Sequence, residues 1–96
     1  MSFVQIIEMQ AADFDALERL HDEWRAATEG QRTVKSELVC RDRDRPNTYM
    51  IIVEFDSYED AMKNNDLPAT SRIAEGMAAL AKEPPTFRNL DVVRRD

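Results

Sequence analysis

The chain has 96 residues, enough for one domain and too few for two. Its hydrophobic share of 43% and charged share of 33% are those of a globular domain, and a domain of this size has a thin margin of buried surface. The formal net charge of -6 excludes the basic field that nucleic acid requires, and no stretch approaches the ~20 apolar residues of a membrane span.

Residues 2–9 alternate as a strand, with Phe3, Gln5 and Ile7 on one face and Val4, Ile6 and Glu8 on the other. Asp13 is placed to cap a following helix, with Asp15 favourably sited in its first turn. Phe14, Leu17, Leu20, Trp24 and Ala27 recur at spacings of three and four and form its apolar stripe, and Gly30 stops it. Residues 33–41 alternate again, with Val34, Ser36, Leu38 and Cys40 set against Lys35, Glu37, Val39 and Arg41, as in a half-exposed edge strand. Residues 42–47 are polar and contain Pro46, which predicts a hairpin loop. Arg41, Arg43 and Arg45 alternate there with Asp42 and Asp44, the pattern of a solvated tip.

The run from Thr48 to Phe55 is apolar on both faces. Tyr49, Ile51, Val53 and Phe55 fill one side, and Met50 and Ile52 make the other apolar too. Two-sided burial calls for cover above and below the sheet. Ser57 then starts a helix, with Asp60 three residues on, but Asn64-Asn65-Asp66-Leu67-Pro68 interrupts it. A fresh helix from Pro68 carries Ile73, Met77 and Leu80 inward until Pro84-Pro85 ends it. Residues 87–94 form the last strand.

The order β-α-β-β-α-β predicts an α+β, ferredoxin-like domain spanning residues 1–96: a four-stranded antiparallel sheet with two helices on one face, the second broken near Pro68. Those helices cover one face of the central strand. A second copy of the chain is the expected cover for Met50 and Ile52, so a homodimer is predicted. Cys40 is alone, so no internal disulfide forms, and the first residues lack the basic and apolar regions of a signal peptide. The cytoplasm is the expected location.

The length, the order of elements and the segment Glu54-Phe55-Asp56-Ser57-Tyr58-Glu59-Asp60-Ala61-Met62 resemble the dimeric α+β barrel superfamily. Within it the chain is similar to the antibiotic-biosynthesis-monooxygenase-like domains. Residues 65–70 and the ending 84–93 look like a bacterial branch of these. The resemblance covers essentially the whole chain. It implies two sheets packed face to face in a dimeric barrel, a pocket between sheet and helices, and chemistry without a cofactor on polycyclic phenols or quinols. Haem degradation, known in another branch, is disfavoured. The Asn used there falls at Gln5, the Trp near Met62 and the His near Arg72, and no histidine follows His21.

Candidate site residues follow from both lines of reasoning. Gln5 is an amide among apolar neighbours on the helix-facing side, where it either bonds backbone or water or orients a ligand carbonyl or phenol. His21 and Trp24 lie one helical turn apart. An imidazole titrating near ~6.5 suits a general base, and a boundary histidine is the plainer reading. His21 and Gln5 are therefore the catalytic candidates. Tyr49, Trp24, Asn64, Arg72 and Met62 are the substrate-binding candidates, each set against a plain core or surface role. Asn64, Asn65 and Arg72 are expected to cluster around the helix break. One histidine and one cysteine fall short of a zinc ligand set, and Gly30 and Gly76 make no phosphate loop. No metal or cofactor is expected. The expected partners are a second copy of the chain and a small hydrophobic or aromatic ligand. An accessory binding protein without turnover is the alternative function.

Overall fold

The computed structural model describes residues 2–96. The elements run β1 (Phe3–Gln10), α1 (Phe14–Ala27), β2 (Val34–Arg41), β3 (Thr48–Phe55), α2 (Tyr58–Asn65), α3 (Pro68–Leu80) and β4 (Thr86–Asp91). The strands form one antiparallel sheet in the order β2-β3-β1-β4, the ferredoxin-like arrangement. β2 is an edge strand, as its alternation suggested.

Local chemistry places the helix ends where the sequence puts them. The Asp13 carboxylate accepts from the Ala16 amide at 2.9 Å, and the Ser57 hydroxyl accepts from the Asp60 amide at 3.1 Å. Gly30 closes the turn after α1 at φ 80°, the left-handed region where glycine meets no steric penalty. Pro68 opens α3, and Asn64 and Asp66 absorb the break before it. Among the described residues no helix is long and apolar enough to cross a membrane.

The central pairing sets the core. Phe3 lies opposite Phe55, Gln5 opposite Val53, Ile7 opposite Ile51 and Met9 opposite Tyr49. All except Gln5 are buried beneath the helices, together with Leu17, Ala61 and Met77. Phe14 of α1 stacks on Tyr49 at 4.9 Å between centroids. The opposite face carries three rows across the sheet. Leu38, Ile52, Ile6 and Arg88 form the middle row, flanked by Cys40, Met50 and Glu8 on one side and Ser36, Glu54, Val4 and Leu90 on the other. Among the described residues no helix or strand covers this face, and Leu38 is 61% exposed. Its carboxylates are neutralised at the margins. Glu8 meets Arg45 at 3.3 Å and Arg88 at 3.7 Å, and Glu54 pairs with Arg95.

Three expectations change in detail. β2 does not alternate uniformly, because a bulge between Val34 and Ser36 inserts Lys35 as an extra residue. Val34 and Glu37 therefore both face the helices, whereas plain alternation puts them on opposite sides. Ala27 is exposed and does not complete the α1 stripe. Thr28 is buried instead, its hydroxyl donating to the Trp24 carbonyl at 2.6 Å. The last strand ends at Asp91, three residues short of the expected end, and the Val92 amide donates to the Ser2 carbonyl at 2.9 Å.

Phe55 is 3% exposed and meets Phe3 at 6.3 Å, whereas Val93 is 89% exposed. Phe55→Ala is expected to lose about 3–5 kcal/mol in urea unfolding. Val93→Ala should stay within about 0.5 kcal/mol of the parent.

Candidate functional site

The sheet is wider than the layer of helices above it. β4 is exposed along its whole length, and α2 packs over β2 and β3. Between the two layers lies a cavity of about 450 Å³. Its floor is Gln5 and Ile7 of β1, Ile51, Val53 and Phe55 of β3, Phe87 and Asn89 of β4, and Val34 and Glu37 of β2. Its roof is His21 and Trp24 of α1, Asn64 and Asn65 of α2, and Thr70, Ser71, Ile73, Ala74 and Met77 of α3. Phe87 is 49% exposed, so the mouth opens along β4. The walls are mostly apolar, with a few convergent polar groups, the usual make-up of a small-molecule site.

Trp24 is held from several directions. Its indole N–H donates to the Thr70 hydroxyl at 3.0 Å, tying α1 to α3. The Arg32 guanidinium sits 5.6 Å from the ring, and the His21 imidazole stacks on it at 6.0 Å with 13° between planes. The indole is both core and cavity wall. His21 Nε2 bonds the Glu37 carboxylate across from β2. That bond holds the His21 pKa above its ordinary 6.5, outweighing burial, which acts the other way. The surrounding charges contribute less: Arg25 lowers the value and Asp22 raises it.

Gln5 is not an isolated amide. Its side chain donates to Asn89 Oδ1 at 3.0 Å, which joins β1 to β4 on the cavity floor. Asn64 is 6% exposed, and its Oδ1 is enclosed with no hydrogen-bond partner. A buried acceptor left unpaired costs about 1–3 kcal/mol, so its presence calls for an explanation.

Gln5, His21, Trp24 and Asn64 thus come together at one cavity, with Asn65 beside them. Three other candidates do not line it. Tyr49 is 4% exposed and occupied by stacking on Phe14. Met62 packs against the core. Arg72 lies with Glu23 in a separate hollow of about 230 Å³ between α1 and α3, away from the asparagines of the break. Sequence reasoning did not single out Glu37, Asn89 or Thr70. Glu37 reads as one charge of a half-exposed strand until the bulge is known, and Asn89 acquires its role only from its pairing with Gln5. Among the described residues no three His, Cys, Asp or Glu side chains gather as a metal-ligand set.

No family model matches the sequence, and no curated protein matches it. Solved structures do match its fold. SnoaB, a cofactor-independent oxygenase from Streptomyces nogalater, superposes with a TM-score of 0.81 at 14% identity, covering 98% of this chain and 95% of its own. Rv0793 from Mycobacterium tuberculosis gives 0.80 at 14% identity, covering 99% of this chain and 98% of its own. A protein from Caulobacter crescentus CB15, provisionally described as an antibiotic biosynthesis monooxygenase, gives 0.83 at 11% identity over 97% and 91% of the two chains. At these identities the likeness is one of fold. The chain has the fold of the antibiotic-biosynthesis-monooxygenase-like domains.

The unpaired Asn64 acceptor has a measurable consequence. Asn64→Leu keeps the branched shape, removes the orphaned oxygen and improves helix propensity, so stability should rise by on the order of 1 kcal/mol in urea unfolding. A loss of stability would show that the oxygen has a partner within the free protein.

Proposed function

We propose that the protein is a cofactor-independent monooxygenase acting on a small hydroxylated aromatic of the phenol, quinol or anthrone type. The observation that carries this reading is that His21, Gln5 and Asn64 come together in the wall of an otherwise largely apolar cavity of about 450 Å³. The imidazole and the amides suit a ligand's oxygens, and the apolar walls suit a ring. Similarity in fold to SnoaB, a cofactor-independent oxygenase, supports the reaction class by analogy.

In this reading the ring lies between Trp24, Ile73 and Met77 above and Ile51 and Val53 below. Asn64 lies beside the substrate hydroxyl, and the Gln5–Asn89 pair orients a second oxygen nearer the mouth. His21 takes a proton from the substrate, and the resulting electron-rich anion is the species that reduces dioxygen. For an anthrone the balance closes on the substrate itself: a ring CH2 and O2 become a ring C=O and H2O, with no external reductant. Binding without turnover is the competing reading, and the same experiment separates the two. In an oxygen electrode with anthrones and quinols, the parent should consume oxygen, and His21→Ala should slow it by about 10²–10⁴-fold. Gln5→Leu should act chiefly on KM. No uptake across the substrate panel, or equal rates in parent and variants, would overturn the oxygenase reading.

We further propose that the uncovered sheet face packs on the same face of a second copy. Leu38, Ile52, Ile6 and Met50 supply an apolar centre, and the paired carboxylates Glu8 and Glu54 lie at its margins. A two-fold contact of this kind covers Met50 and Ile52 on the side the helices leave bare. Light scattering should give a dimer for the parent and a folded monomer for Ile52→Asp. A stable parent monomer at micromolar concentration would sink this proposal.

A further inference from the structure

We propose that Glu37 is a positioning residue for His21, holding the imidazole as the Nε2–H tautomer so that Nδ1 is left as the atom that accepts the substrate proton. The inference rests on His21 acting as the base, and it deepens that reading by naming the atom and the group that prepares it.

The geometry comes from two elements that local sequence does not connect. The bulge at Lys35 re-phases β2, so Glu37 faces the helix layer opposite Val53. There its carboxylate meets His21 Nε2, with the two side chains 13% and 23% exposed. A carboxylate accepts only, so the nitrogen it meets must carry the proton. His21 Nδ1 has no hydrogen-bond partner among the described residues. The ring plane is fixed as well, by its stacking on Trp24, which is itself anchored to Thr70. One nitrogen tied down, one face packed and one nitrogen free is how a carboxylate prepares a histidine base.

The proton transfer balances simply. The O–H bond of the substrate phenol breaks, its electron pair stays on oxygen as the phenolate, and the proton goes to Nδ1. The imidazolium formed is stabilised by the Glu37 carboxylate on its far side. The other charged groups near His21 are on its own helix: Asp22 and Arg25 act on it, and Glu18 lines the small hollow of about 170 Å³ beside it. The faces of α3, β3 and β4 turned to the cavity supply no titratable group, only residues such as Thr70, Ser71, Ile51 and Asn89. Glu37 is therefore the dominant electrostatic neighbour. The sign follows: His21 is protonated below its raised value and becomes a base as pH rises through it. Removing the Glu37 charge moves that transition to lower pH and weakens the base.

The chain has one histidine, so its imidazole can be followed alone by nitrogen-detected NMR. The free parent should titrate above 6.5, with the Nε2–H form dominant once neutral. In Glu37→Gln the transition should fall and the tautomers should mix. A second readout uses 4-nitrophenol, whose colour reports its ionisation, and 4-nitroanisole, which cannot ionise. The ratio of bound phenolate to phenol should drop on the order of tenfold in Glu37→Gln, the equivalent of one pKa unit. Affinity for 4-nitroanisole should not change. An Nδ1–H tautomer in the parent, a His21 transition unmoved by Glu37→Gln, or an unchanged phenolate fraction would each overturn the proposal. If these hold while the parent consumes no oxygen, the oxygenase reading falls and the Glu37–His21 assignment stands.

Discussion

The ladder between β1 and β3, from Phe3 opposite Phe55 to Gln10 opposite Thr48, is the constraint that the other features of the molecule obey. It aligns Phe3, Ile7, Met9, Tyr49, Ile51, Val53 and Phe55 as one apolar surface, and burying that surface brings α1 and α3 down onto the sheet. The strand period of two means the same ladder turns Val4, Ile6, Met50 and Ile52 the other way. One hydrogen-bonded register thus produces both the core and an apolar face that the helices leave bare. A slip of one residue would exchange the two faces entirely.

Helices about 10 Å across cannot roof four strands evenly. Here they cover the inner faces of β1 and β3 and leave β4 exposed along its length. The space beneath their outer edge is the cavity. It survives in a small core because its roof is braced: the Trp24 indole bonds Thr70, and Arg32 and His21 pack on the ring. The brace spans α1 and α3, which keeps the roof from collapsing onto Ile51 and Val53.

The polar groups on the cavity wall differ in how they are satisfied. Gln5 and Asn89 are joined by a hydrogen bond, and His21 bonds the Glu37 carboxylate, an attraction that outweighs the burial of the imidazole. Asn64 Oδ1 has nothing. Two satisfied pairs and one residue with an enclosed, unpaired acceptor thus line the same cavity. The apolar surroundings strengthen each of these interactions by excluding water.

Much of the fold was legible because it is written in local signals. Periods of two and 3.6, the caps at Asp13 and Ser57, Gly30 after the first helix and Pro68 opening the third each act over a few residues. Together they determine the order of elements, the edge position of β2 and the two-sided character of β3. The family likeness drawn from the order of elements and residues 54–62 agrees with the fold of the solved structures. Gln5, His21, Trp24 and Asn64 could be named because an amide, an imidazole, an indole or an asparagine stands out on a face otherwise apolar or at a helix break. What each of them meets could not be read. Glu37 faces His21 only because one extra residue at Lys35 shifts the phase of a strand, and a bulge leaves no mark in alternation. Asn89 reaches Gln5 only through the pairing of the first and last strands, and Arg72 lines a separate hollow with Glu23 rather than joining the asparagines of the break. By itself the sequence determined the elements and the faces of the central strands, since those follow from spacing along the chain. The partners of the polar groups were decided by tertiary structure, since hydrogen bonds between distant strands and helices depend on register and packing that no local pattern encodes.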